Sequence, residues 1–179
     1  MACDPIAASI EKGCNSSNGG NSAFYPFEFI EEAFTIVDGV ATGINATPPG
    51  GTPLTVAYSY YINGSDSNTF SAPLIGDNVT GTSVCTQTMA IQMKQVAGSK
   101  SFELTKAAQG CLSGVLKDRN GIYRIVAHEN AFKTFTAEEI SGGAATDFNG
   151  YNVTGVAETK ILPPILDAAT VTAFLALVV

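Results

Sequence analysis

The sequence predicts a mainly β chain of the α+β kind: an antiparallel β-barrel or sandwich with one flanking α-helix, extended loops and terminal arms. Three observations carry this. Apolar and polar residues alternate along residues 55–63 and 84–94, the period of a half-buried strand. Asp118-Arg119-Asn120-Gly121 lies between two β-rich runs, and Asn-Gly supplies the positive φ angles that a tight turn demands. Only one stretch keeps a helical period.

Residues 1–23, rich in Asn, Ser and Gly over 15–22, predict an N-terminal arm with little periodicity. Residues 24–30 and 34–41 are short aromatic and β-branched runs, with Pro26 confining the first to an edge or a strand start. Residues 42–53 carry three prolines and three glycines and predict a long loop. Strand character returns at 55–63, with Val56, Tyr58, Tyr60 and Ile62 on one face, and continues at 69–75. In 84–94, Cys85, Gln87, Met89, Ile91 and Met93 share a face.

The helix falls near 101–112, where Leu104, Ala107, Ala108 and Cys111 stand at i, i+3, i+4 and i+7. Ser101 is the expected N-cap, with Glu103 in the first turn. Residues 112–117 and 122–128 form the predicted hairpin, 130–148 an irregular excursion, and 151–158 a last strand. Residues 161–179 form an apolar C-terminal arm, so the domain proper is 24–160.

A chain of 179 residues makes one domain, large enough to bury about two-thirds of its extended surface. At 45% apolar it is too hydrophobic for disorder. Its 14% charged residues lie below the roughly 25% usual for soluble domains, so part of the surface is expected to face protein. Nine basic against 16 acidic residues, a net charge of −7, argue against binding nucleic acid by neutralising phosphates.

No CxxC and no Cys/His cluster offers metal spacing; Cys3, Cys14, Cys85 and Cys111 are expected to be free, with a Cys3 to Cys14 bridge left open. Five sequons, at Asn15, Asn45, Asn63, Asn78 and Asn152, would suit a secreted β-sandwich adhesion glycoprotein, the reading from a different class. MACDPIAASIEKGC has neither a basic n-region nor an apolar h-region and predicts no signal peptide. The run ILPPILDAATVTAFLALVV is interrupted by Pro163, Pro164 and Asp167 and is too short to span a membrane. It is expected to dock in protein, on its own core or on a neighbouring subunit.

Enzyme chemistry finds no support. His128 is the sole histidine, at a predicted strand end beside Glu129, with no GxSxG elbow in the chain. Glu31-Glu32 and Glu138-Glu139 are adjacent pairs whose side chains point apart and belong to solvated surface. No phosphate-loop spacing occurs, and no cofactor is expected. Tyr58, Tyr60 and Tyr61 divide between core and surface rather than forming a stacking platform.

TQTMAIQMKQ (86–95), AAQGCLSGVLKDRNGIYRIVAHENAF (107–132) and GGAATDFNGYNVTGVAET (142–159) together show an order of motifs. It resembles virion proteins of tailed bacteriophages, including phages of Bacteroides-like hosts. In these a TQTL-like strand leads into a helix, a VxxDxNGxYxxxG hairpin and a DxNGYxxTxxGxE strand. Gly13-Cys14-Asn15, Gly19-Gly20 and Phe24-Tyr25-Pro26-Phe27 look like the opening of that group. The resemblance covers about half the chain in three patches. His128-Glu129 stands where the pattern has a small residue, and the tail beyond Lys160 is longer and more apolar.

The resemblance implies a tail tube protein, or a related head-to-tail neck ring protein, with a small β-barrel or sandwich flanked by a helix. The implied partners are further copies of itself in stacked hexameric rings, and other tail or neck proteins. DNA would pass through the lumen without specific binding, no membrane would be involved, and the site of action would be the virion tail, assembled in the host bacterial cytoplasm. Phe24, Phe27, Ile161, Leu162, Ile165, Phe174 and Leu175, apolar residues outside the regular hairpin, are the candidates for intersubunit packing. Loss of 168–179 is then expected to leave a folded subunit that does not assemble. The acidic balance suits a lumen with few cations, which would not hold phosphates as DNA slides.

Overall fold

The computed structural model describes residues 19–45, 47, 54, 60–61, 68–144 and 146–178. Two sheets face each other over a shared core, and one of them is covered on its other side as well. The first strands are β1 (Asn21–Glu28), β2 (Phe34–Val37), β3 (Val40–Ile44) and β4 (Tyr60–Tyr61). They are followed by β5 (Thr69–Ser71), β6 (Leu74–Asp77), β7 (Thr82–Lys94) and the helix α1 (Gly98–Gln109). Next come β8 (Leu112–Asp118), β9 (Tyr123–Val126), β10 (Thr134–Ser141), β11 (Asn149–Thr159), β12 (Ile165–Leu166) and α2 (Ala168–Leu175).

The larger sheet has the order β2-β3-β12-β9-β8-β1-β4, and the smaller one β10-β11-β7-β5, with β6 also paired to β7. All pairs are antiparallel except β12 on β3. Neither sheet closes on itself, so among the described residues there are two open sheets and no closed barrel. The mainly β, antiparallel expectation holds at that level.

Alternation along the central strands builds two cores. Phe24, Leu116 and Val126 point from the larger sheet toward Met89, Ile91, Tyr151 and Val153 of the smaller. Their neighbours Phe27, Val115 and Ile125 point the opposite way, into a second core closed by Leu166 and Phe174 of the C-terminal arm. Phe174 meets Tyr25 edge to face at 5.7 Å between ring centroids, and Phe27 at 6.5 Å. Gly114 is required where the layers come closest, since a Cβ there would lie 2.3 Å from the Phe24 ring.

Several expectations are corrected. The 34–41 run is not one strand but the start of a hairpin. It turns at Asp38 (φ 50°) and Gly39 (φ 79°), both in the left-handed region that a two-residue turn uses. In the Asp118 hairpin, by contrast, only Gly121 has positive φ (82°), and Asn120 does not. Asp118 holds this turn, accepting hydrogen bonds from the amides of Asn120 (2.8 Å) and Ile122 (2.9 Å) and pairing with Arg124 at 2.8 Å.

The 69–75 run divides into β5 and β6 at Ala72-Pro73, because Pro73 has no N–H to give to a ladder. The excursion expected at 130–148 contains β10, eight residues paired along β11. Ser101 does not cap α1: the N-cap is Ala97, without a side-chain bond, and the Ser101 hydroxyl instead bonds to the Tyr151 phenol. No acidic residue lies in the first turn, and of the proposed apolar face only Leu104 is buried. A second helix, α2, is added, capped by Asp167, whose carboxylate accepts from the Thr170 amide at 2.7 Å.

Candidate assembly surface

The seven residues selected for intersubunit packing divide into two sets. Phe24, Phe27 and Phe174 are 1%, 2% and 0% exposed, packed within their own chain, and leave no surface for a neighbour. That corrects their proposed role: the aromatic runs that look like free arms are what the two cores are made of. Ile161, Leu162, Ile165 and Leu175 are 39% to 52% exposed and stay available. The C-terminal arm, left undecided by the sequence, docks on its own subunit through β12 and α2.

Three of the exposed four come together. Ile161, Leu162 and Ile165 line a groove of about 700 Å³ with Gly39, Phe70 and Leu74. The 159–162 segment that presents them is fixed by a chain of polar contacts. Buried Gln87 accepts from the Ala127 amide (2.9 Å) and donates to Thr159 Oγ1 (2.9 Å), which donates to the carbonyl of Ile161 (2.8 Å). The Lys160 amide donates to Glu129 Oε2 at 2.7 Å, and Ser83 Oγ donates to the Lys160 carbonyl at 2.8 Å. These bonds tie the segment to β7, to the residue that follows β9 and to Glu129, and so hold one rim of the groove in place.

Leu74 also begins the ribbon of β6 and the first residues of β7, where every residue from Leu74 to Val84 is exposed. Ile75, 71% exposed, stands directly opposite Val84, and Val79 lies at the tip. Asp77 orders that tip, accepting from the Val79 amide and the Thr80 hydroxyl at 2.9 and 2.8 Å, and these bonds hold its carboxyl below the usual range. The sequence reading missed the ribbon, because the paired run 74–84 carries no one-sided apolar alternation. Its one signal is Gly76 to Gly81, a turn-rich string inside β-branched flanks.

Among the described residues, no group of three His, Cys, Asp or Glu is placed to hold a metal ion, and no helix is long and apolar enough to cross a membrane. Cys85 is a buried free thiol whose pKa burial raises, and Cys111 is free and exposed. Cys3, Cys14, Tyr58 and the sequon asparagines Asn15 and Asn63 lie outside the described residues. Asn78 sits on the exposed ribbon, whereas Asn152 lies within the β7-β11-β10 ladders. No family model, curated protein or solved structure matches this chain.

Proposed function

We propose that the chain is a structural virion protein of tailed bacteriophages, which self-assembles into stacked hexameric rings forming the tail tube through which DNA leaves. The observation that carries this reading is the exposure of large apolar side chains at two places, the Ile161–Leu162–Ile165 groove and the Ile75–Val84 pair on the other face of the β6–β7 ribbon, on a chain with few charges. Large apolar side chains grouped on the surface mark sites of contact with other protein. Among the described residues β2 and β10 are edge strands, and such edges offer ladders that a neighbouring subunit can extend.

The segments that resemble tail tube proteins also lie together. The first is β7 and the third contains β11, adjacent strands of the smaller sheet, while the second forms the β8–β9 pair facing them. In this reading the subunits act in the virion tail, meet other tail or neck proteins at the ends of the tube, and present a net negative lumen that does not bind DNA specifically.

Negative-stain electron microscopy of the concentrated protein tests it. Stacked tubes with a central channel are expected; isolated rings would make it a neck connector, and persistent monomers would overturn the reading. Ile75→Glu with Val84→Glu, on solvent-exposed positions, is expected to abolish stacking with an unchanged circular dichroism spectrum. Tubes formed by that variant would remove the ribbon from the contact.

A further inference from the structure

His128 and Glu129 follow β9, and Glu31 and Glu32 follow β1. Both strands lie antiparallel to β8, one on each side of it, so their C-terminal ends arrive at the same end of the sheet: Glu28 is in register with Leu112, and Val126 with Gly114. Between these ends is a pocket of about 330 Å³ lined by His128, the three glutamates and an apolar wall that includes Phe34 and Ile125. Among the described residues, no Lys or Arg lines it.

The His128 side chain is only 4% exposed, and neither ring nitrogen has a hydrogen-bond partner. Buried polar groups are seldom left so, and a neutral imidazole has one donor and one acceptor to satisfy. Burial also lowers the pKa of this ring, with Glu129 opposing in part, so it is uncharged at neutral pH. Nε2 lies 3.7 Å from Glu129 Oε1, too far for a direct bond but close enough for one nitrogen between them to donate to both. Glu129 is pre-oriented for this, since its other oxygen is held by the Lys160 amide at 2.7 Å.

We propose that this pocket is a binding site for a small organic ammonium ion with an apolar body. The ammonium nitrogen donates to Glu129 Oε1 and the neutral His128 ring, Glu31 and Glu32 supply the surrounding negative potential, and the apolar body lies against Phe34 and Ile125. An anion meets three carboxylates and no cation, and a divalent metal lacks a set of three ligands. A volume of about 330 Å³ is at the small end of the range for ligand sites, which selects single-ring or short-chain amines. The site is independent of the assembly role, because Ile161 alone is common to the pocket and the groove.

The test uses the full chain and its single histidine as a one-residue probe. Phenethylammonium is titrated at neutral pH while the ring nitrogens of His128 are followed by NMR, with 3-phenylpropionate as the counterpart of similar shape and opposite charge. A saturable displacement of the ring signals by the amine and none by the acid is the expected result. Glu129→Gln, which keeps an oxygen for the Lys160 amide, is expected to weaken binding about tenfold, the scale of one charged hydrogen bond. Glu31→Gln with Glu32→Gln, both at exposed positions, is expected to weaken it about two- to fivefold. Equal displacement by 3-phenylpropionate, a response to the amine that does not saturate, or full affinity in both variants would overturn the proposal.

Discussion

At the scale of single residues, His128 has consequences for stability that do not depend on any ligand. Its folded pKa lies below the ordinary value of 6.5, because burial disfavours the imidazolium by more than Glu129, the nearest carboxylate, favours it. Glu31 and Glu32 are the other carboxylates that line the pocket. Below pH 6.5 the unfolded chain therefore takes up a proton that the folded chain resists. Stability from this group is intact above 6.5 and is lost as the pH falls from there through the lowered folded pKa. Urea midpoints measured across that window are expected to fall with acidification, and to fall less in His128→Phe. A midpoint that rises on acidification in the wild type would show the sign to be wrong.

At the scale of elements, α2 is the most exposed to test because a single side chain starts it. Asp167 provides the cap through the Thr170 amide, and that bond holds its carboxyl below the usual range. Asp167→Ala is expected to cost about 1 kcal/mol in urea unfolding, the usual worth of a cap. A cost near zero would mean that packing by Phe174 alone sets the helix. The same elements show what was legible in the sequence. β7 was readable because Cys85, Gln87, Met89 and Ile91 all turn to a buried face, which imposes a period of two. β10 was not, since six of its eight residues are exposed and polar or small, and its backbone ladder to β11 leaves no trace in side-chain pattern. The apolar tail announced that it docks, but composition does not say on which molecule; the pairing of β12 with β3 and β9 and the contacts of Phe174 with Tyr25 and Phe27 place it on its own sheet. For the candidate sites, Ile161, Leu162 and Ile165 were visible as unexplained apolar residues. The glutamates at 31 and 32 meet the pair at 128 and 129 only because β1 and β9 flank β8, a relation of topology that spacing along the chain does not encode.

At the scale of the whole molecule, the larger sheet couples the two cores into one folding unit. Along β8, Val115 belongs to one core and Leu116 to the other; along β9, Ile125 and Val126 divide in the same way, as do Phe27 and Phe24 on β1. Loss of packing on either face therefore loosens strands that the opposite core also needs. This arrangement argues against the expectation that a subunit without 168–179 stays folded, because the deletion uncovers Tyr25, Phe27 and Phe34 together. Phe174→Ala, which empties a fully buried site, is expected to cost about 3 to 5 kcal/mol. That loss should shift one common transition, with near-ultraviolet and far-ultraviolet circular dichroism melting together as in a two-state domain. Were the arm an independent appendage, the near-ultraviolet signal of the Tyr25 and Tyr123 surroundings would be lost first while the far-ultraviolet β signal kept its wild-type midpoint. That outcome would restore the C-terminal segment as a detachable arm, free to reach a neighbouring subunit.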